Sequence, residues 1–109
     1  ARILDGKQVH PDVRMLVSPS SQEVFGEALK AGYLETLLKA GALVEHSTCG
    51  PCYGGHLGVL GDGETCISSS NRNFQGRMGS PLANVWLASP ATVAASAIAG
   101  EIVDPREYI

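Results

Sequence analysis

Hydrophobic and polar positions alternate along the chain in blocks that predict strands separated by helices. Four short apolar runs have the length of strands: residues 13–17, 42–46, 65–69 and 85–88. Between the first two runs, apolar residues recur at helical spacing, starting with Val24 and Phe25, and a second helical stretch covers 34–40. Strands that alternate with helices predict an α/β fold with a mainly parallel sheet in a three-layer arrangement.

Residues suited to helix ends support these assignments. Ser20 or Ser21 is placed to cap the first helix, and Gly41 is placed to end the second. Ser89 followed by proline predicts the start of a third helix. Because residues 91–99 are small and almost wholly apolar, this third helix is predicted to be buried.

Length, composition and charge narrow the class of protein. The 109 residues form one domain at most, and 44% hydrophobic with 17% charged residues is typical of a globular chain. The net charge is −3 and the basic residues are scattered, so we expect no nucleic-acid partner. The apolar runs are too short for a membrane span. Three cysteines, two of them three positions apart, favour a reduced, cytoplasmic protein over a disulfide framework.

The stretch Cys49-Gly50-Pro51-Cys52 has two chemical interpretations. A redox dithiol of the thioredoxin type needs a regular helix after the motif, and the three glycines between residues 54 and 58 disfavour one. A metal site needs two thiolates brought together by a tight turn, which this spacing supplies. The metal interpretation is favoured, while a redox dithiol and two structural cysteines stay open.

A second cluster of polar residues points to the substrate. Arg72 and Arg77 lie five positions apart in a polar loop, and the arginine fork grips carboxylates with two hydrogen bonds. Two such forks beside a metal site suggest a di- or tricarboxylate ligand, although surface arginines are the ordinary alternative. The polar segments that follow predicted strands share one sheet edge in a parallel sheet, which predicts one site. These segments are 18–20, 49–52, 71–77 and Ser89.

Taken together, the motifs resemble the aconitase family, over nearly the whole chain. The segments that carry the resemblance are Thr48-Cys49-Gly50-Pro51-Cys52, Gly61-Asp62-Gly63-Glu64, Ser70-Asn71-Arg72-Asn73-Phe74-Gln75-Gly76-Arg77 and Leu87-Ala88-Ser89-Pro90-Ala91. The resemblance corresponds to the later part of a large subunit, within its third α/β domain. Residues 1–109 are therefore interpreted as a single α/β domain that is a fragment of such a subunit.

The resemblance implies an iron–sulfur hydro-lyase. It implies a [4Fe–4S] cluster held by three cysteines, of which Cys49 and Cys52 match two and the third lies outside this chain; Cys66 does not match it. Arg72 and Arg77 match substrate-binding arginines, and Asn71 matches an active-site asparagine.

The resemblance also implies a substrate and a partner. In their detailed sequence, the motifs look like those of family members that interconvert 2- and 3-isopropylmalate in leucine biosynthesis. A tricarboxylate substrate is the alternative. The catalytic serine base belongs to a swivelling domain on a small partner subunit, so no catalytic residue is assigned in this chain. A second hypothesis is an excised domain without activity of its own.

Overall fold

A computed structural model describes residues 1–49, 52, 55, 58–70 and 74–109. The chain divides into two compact units. The first comprises residues 1–48 and 94–109, and the second comprises residues 49–93. No helix within the described ranges combines the length and the apolar character that crossing a membrane requires.

The first unit contains a pair of parallel strands and two helices between them. Strand β1 (Leu16–Val17) pairs with β2 (Leu43–Val44) in parallel, with Leu16 opposite Leu43. Helices α1 (Gln22–Lys30) and α2 (Tyr33–Ala40) connect the two strands. This order is a β–α–β crossover, in which a parallel pair needs a long connection.

Local chemistry sets the helix ends in the first unit. Ser21 has an extended backbone, and its side chain accepts a hydrogen bond from the backbone N–H of Val24 at 3.1 Å, so it is the N-cap of α1. Gly41 ends α2 with φ of +97°, a backbone conformation that glycine adopts at little cost. Both predicted ends are confirmed, with Ser21 and not Ser20 as the cap.

Small and aliphatic side chains make up the core of the first unit. Its buried apolar residues are Ile3, Leu4, Leu34, Leu37, Ala40, Ala42, Ala94, Ala95 and Ala97. None of the nine residues of α1 is fully buried, whereas α2 contributes three to the core. Ser96 is the buried polar residue, and its hydroxyl accepts a hydrogen bond from the backbone N–H of Val103 at 3.2 Å. That bond satisfies a group whose burial would otherwise be costly.

The second unit contains a longer pair of parallel strands. Strand β3 (Thr65–Ser68) pairs with β4 (Asn84–Leu87), with Cys66 opposite Val85. A parallel bridge between Leu60 and Gly79 lies outside these strands. Buried Met78 and Ala83 lie in this unit, whereas Trp86 and Leu87 on β4 are 55% and 67% exposed.

Helix α3 (Pro90–Ala99) follows β4. Ser89 caps it, since its hydroxyl accepts a hydrogen bond from the backbone N–H of Thr92 at 3.2 Å. Residues 94–97 are buried, which confirms the prediction that this helix is a buried one. A short 3₁₀ helix (Pro105–Tyr108) follows near the end of the chain.

Helices and parallel strands confirm the α/β class. Within the described residues the strands form two separate two-stranded sheets, where the sequence predicted one sheet. Strands β1 and β2 are each two residues long, shorter than the predicted runs, although the ladder extends by hydrogen bonds from Leu43 N–H to the Met15 oxygen and from Glu45 N–H to the Val17 oxygen. The three-layer arrangement and the single domain stay predictions.

Candidate functional site

The cysteine motif forms a tight turn at the start of the second unit. The backbone N–H of Cys52 donates a hydrogen bond to the Cys49 oxygen at 3.0 Å, so the chain closes on itself over three positions. Cys49 is exposed and Cys52 is half-buried, and no disulfide joins any of the three cysteines, all of which lie within the described residues. Gly50 and Pro51, which the sequence analysis placed in this turn, lie outside the described residues.

Arg77 contacts the second cysteine of this turn. Its Nε donates a hydrogen bond to the backbone oxygen of Cys52 at 2.8 Å, and its Nη2 lies 4.0 Å from the Cys52 sulfur. The guanidinium carbon also lies 5.7 Å from the centre of the Phe74 ring, within the range of a cation–π interaction. The structure therefore brings Arg77, from the arginine motif, into contact with Cys52 of the cysteine motif. Asn71 and Arg72 lie outside the described residues.

The segment that carries Arg77 is fixed by its own hydrogen bonds. The backbone N–H of Arg77 donates to the Phe74 oxygen at 3.1 Å, and Gln75 Nε2 donates to the Pro81 oxygen at 2.9 Å. Gly76 between them has φ of +87°, which favours glycine at this position. The backbone that presents the guanidinium to Cys52 is thus held on both sides of Arg77.

A second motif of the sequence, residues 61–64, serves to build the loop structure. Glu64 Oε1 accepts a hydrogen bond from the Gly61 N–H at 2.6 Å. Asp62 accepts one from the hydroxyl of Ser80, and that hydroxyl accepts one from the Leu82 N–H at 3.0 Å. Both carboxylates of the motif are therefore engaged in turns of the second unit.

Ser18 makes contacts that sequence reasoning did not predict. In the first unit its hydroxyl oxygen lies 3.2 Å from the His46 oxygen and 3.3 Å from the Thr48 oxygen. The His46 ring stacks on Phe25 with centroids 5.5 Å apart and planes inclined by 13°. The position of Ser18 directly after a strand was the sequence signal, but helix capping explained it equally well.

Cys66 differs from the two motif cysteines in its surroundings. It lies half-buried in β3, and burial, with a smaller contribution from the nearby Glu64 carboxylate, raises the pKa of its thiol. Across the described ranges, no cluster of three or more His, Cys, Asp or Glu side chains could hold a metal ion. The described residues therefore supply the two motif cysteines and no complete ligand set.

The position of Ser18–Ser20 relative to the cysteine turn stays a prediction, because those residues belong to the first unit and the turn to the second. Ser89 serves as the cap of α3. Of the sequence-predicted site residues, the structure thus brings together Cys49, Cys52 and Arg77.

Comparison with known proteins gives a consistent match over the whole chain. The profile of the Aconitase family (aconitate hydratase) matches residues 1–100. The chain is 59% identical over 109 residues to 3-isopropylmalate dehydratase large subunit 1 of Methanopyrus kandleri, covering 100% of this chain and 26% of that protein. It is 59% identical over 106 residues to the 3-isopropylmalate dehydratase large subunit of Caldanaerobacter subterraneus, covering 97% of this chain and 25% of that protein.

A third relative shows the same pattern. The 3-isopropylmalate dehydratase large subunit of Mycolicibacterium smegmatis is 54% identical over 109 residues, with 100% of this chain and 26% of that protein covered. The chain thus spans about a quarter of the length of the curated relatives it matches.

Proposed function

The chain belongs to the aconitase family, and we propose that it is part of the large subunit of an iron–sulfur hydro-lyase that interconverts 2- and 3-isopropylmalate. Large subunits of 3-isopropylmalate dehydratase are 54–59% identical to it, which supports this substrate over a tricarboxylate. The observation that supports the proposal is the hydrogen bond from Arg77 to Cys52, because a guanidinium group can bind carboxylates and a thiolate can bind iron.

The donor atoms of the turn fit two ligands of a [4Fe–4S] cluster. Thiolate sulfur is the ligand that such clusters use, and Cys49 and Cys52 lie on one tight turn with Cys49 exposed. The Arg77 guanidinium supplies positive charge beside Cys52, which offsets the negative charge of a thiolate-bound cluster. The third ligand belongs to another part of the full-length protein. The chemistry that the bound cluster supplies is Lewis-acid activation of the substrate hydroxyl group by its open iron.

The arginine has donors left for a substrate carboxylate. Because Nε is committed to the Cys52 oxygen, the Nη1 and Nη2 groups are the ones that can grip a carboxylate from the side away from that oxygen. The family resemblance assigns substrate binding to Arg72 and Asn71 as well, and both lie outside the described residues. Holding the carboxylates fixes the hydroxyl-bearing carbon of the substrate relative to the cysteine turn.

The proton that leaves carbon is taken by a group outside this chain. No serine of this chain is assigned as the base: Ser89 caps α3, and the Ser68 hydroxyl accepts a hydrogen bond from the Ser70 N–H at 3.1 Å. The base belongs to the small subunit with its swivelling domain, which joins this large subunit to complete the site. In this division of labour, the chain contributes substrate-binding residues and cluster ligands.

Turnover by the full-length large subunit with its small partner subunit tests the proposal. We expect dehydration of 2- and 3-isopropylmalate, and little turnover of citrate or homocitrate at equal concentration. Arg77→Lys should lower kcat/KM about 10- to 100-fold, because a hydrogen bond to a charged group contributes about 1.5–3 kcal/mol. Arg106→Lys, at an exposed arginine in the first unit, is the matched control. Turnover of citrate or homocitrate in preference to isopropylmalate would contradict the substrate assignment.

A further inference from the structure

Arg77 contacts Cys52 through one edge of its guanidinium group. Its side chain is half-buried, and one edge of the guanidinium, Nε and Nη2, faces Cys52. The Nε contact of 2.8 Å to the Cys52 oxygen is a charge-assisted hydrogen bond, which is shorter and stronger than a neutral one. The Nε and Nη2 edge of the guanidinium is therefore engaged by Cys52 of the protein itself.

The bond to Arg77 completes the fixation of the Cys52 backbone. Its N–H is held by the Cys49 oxygen at 3.0 Å, and its oxygen is held by Arg77 at 2.8 Å. With both peptide groups tied, the backbone position from which Cys52 projects its side chain is fixed. A ligand oriented in advance by neighbouring hydrogen bonds binds its metal more tightly, and loss of such a partner typically costs about 10–100-fold in metal affinity.

The same arginine places positive charge near the sulfur. Nη2 lies 4.0 Å from the Cys52 sulfur. Charge and hydrogen bonds near cluster sulfurs set the reduction potential of iron–sulfur clusters, and a cation favours the more negative, reduced form. The contact between Arg77 and Phe74, on the loop that carries the arginine, holds the guanidinium in this place.

We propose that Arg77 is a positioning residue for the cluster ligand Cys52, acting through the Cys52 carbonyl oxygen, in addition to its role toward the substrate. The inference rests on the proposed function, since it needs a cluster bound at Cys52. It assigns the two edges of the guanidinium to two tasks. The Nε and Nη2 edge orients the ligand turn, and the Nη1 and Nη2 end faces the substrate carboxylate.

Two readouts on the full-length large subunit test this assignment without measuring turnover. The first is amide hydrogen exchange of the metal-free protein over residues 49–52, where Pro51 has no amide hydrogen and Cys52 contributes a large part of the signal. In Arg77→Gln this exchange should be at least about tenfold faster. The second is the reconstituted cluster, whose loss to a chelator should be about 10–100-fold faster and whose reduction potential should shift downward.

Two further variants are needed. One separates the effect of the Arg77 charge from that of its hydrogen bond, and the other shows whether the effects are specific to Arg77. Arg77→Lys keeps the positive charge but not the Nε geometry, so its reduction potential should stay closer to that of the wild type while exchange at Cys52 rises. Arg106→Gln alters an exposed arginine of the first unit and should change neither readout. Circular dichroism of each variant checks that the fold is retained, and Arg77→Lys carries the test if Arg77→Gln does not fold.

The outcomes distinguish the inference from the proposed function. A wild-type protein that takes up no cluster overturns both. A wild-type protein that binds a cluster, with Arg77→Gln unchanged in exchange, chelator release and reduction potential, overturns the positioning role and leaves the proposed function standing. Faster exchange with unchanged release and potential also overturns it, because Arg77 would then be structural only.

Discussion

The hydroxyl oxygen of Ser18 lies 3.3 Å from the backbone oxygen of Thr48 and 3.5 Å from its backbone nitrogen. Ser18 follows β1 and Thr48 lies beyond β2, so this one side chain links the segments that leave two paired strands. Its hydroxyl can donate to the oxygen of Thr48 or of His46 and accept from the Thr48 N–H. The backbone of residues 46–48 is therefore held by a side chain and not only by the ladder.

Removal of the Ser18 hydroxyl should loosen this segment. We expect Ser18→Ala to increase amide exchange at residues 46–48 about fivefold, since a typical intramolecular hydrogen bond contributes about 1 kcal/mol. Ser18→Thr keeps the hydroxyl and is the matched control. Equal exchange in the wild type and Ser18→Ala would show that the contact does not hold the segment.

Gly79 should tolerate no side chain. Its φ is +136°, and a Cβ built on it would clash with the backbone oxygen of Leu60 and lie 2.6 Å from the Leu60 nitrogen. Gly79→Ala should lower the free energy of unfolding of the second unit by about 2–4 kcal/mol, because strain and overpacking add. Gly63→Ala is the control, since Gly63 has φ of +76° with open space around it, and it should cost only about 1–2 kcal/mol. Hydrogen exchange of the β3 and β4 amides measures the loss of stability in both variants. Equal losses in Gly79→Ala and Gly63→Ala would contradict the steric account.

Gly26 offers a stabilising substitution. It lies inside α1 with a negative φ, and a Cβ added there would meet nothing within 4 Å, so alanine removes the cost of glycine in a helix. Gly26→Ala should stabilise α1 by about 0.5–1 kcal/mol, measured as slower exchange of its amides. Gly32→Ala, at φ of +81° between the two helices, should destabilise the same region. Faster amide exchange of α1 in Gly26→Ala than in the wild type would contradict the prediction that alanine stabilises this helix.

The Asp104 carboxylate should titrate at unusually low pH. A hydrogen bond from the Arg106 side chain, with a further one from the Arg106 backbone N–H, lowers the pKa of Asp104 to about 2. Because the folded-state pKa is below the unfolded value, the stability from this pair is present above about pH 4 and is lost as the pH falls toward 2. Nuclear magnetic resonance titration of the Asp104 carboxyl carbon measures it. Arg106→Gln should return the pKa toward its usual range, and a wild-type midpoint near 4 would contradict the account.

Helix ends and the chemistry of the site residues could be predicted from the sequence because they depend on side-chain type. Ser21, Gly41 and Ser89 each act at the predicted helix end. The cysteine and arginine motifs could likewise be recognised, and the structure brings Cys52 and Arg77 into contact.

The target of Arg77 could not be predicted, because it is a backbone oxygen, and every residue carries one. The extent to which Trp86 on β4 is exposed likewise depends on neighbours in space, which the local sequence pattern does not contain. The division of the described strands into two-stranded sheets could not be predicted either, because the apolar pattern within a strand does not encode which distant strand it pairs with.

The most direct test of the central claim is anaerobic reconstitution of the full-length large subunit with iron and sulfide, followed by measurement of bound iron, sulfide and visible absorption. We predict a [4Fe–4S] cluster in the wild type and also in Cys66→Ser. Cys66 lies half-buried in β3 and is not one of the two motif cysteines. We predict loss of the cluster in Cys49→Ser and in Cys52→Ser, since each removes a thiolate from the turn. A cluster that forms undiminished in both of these variants would contradict the account.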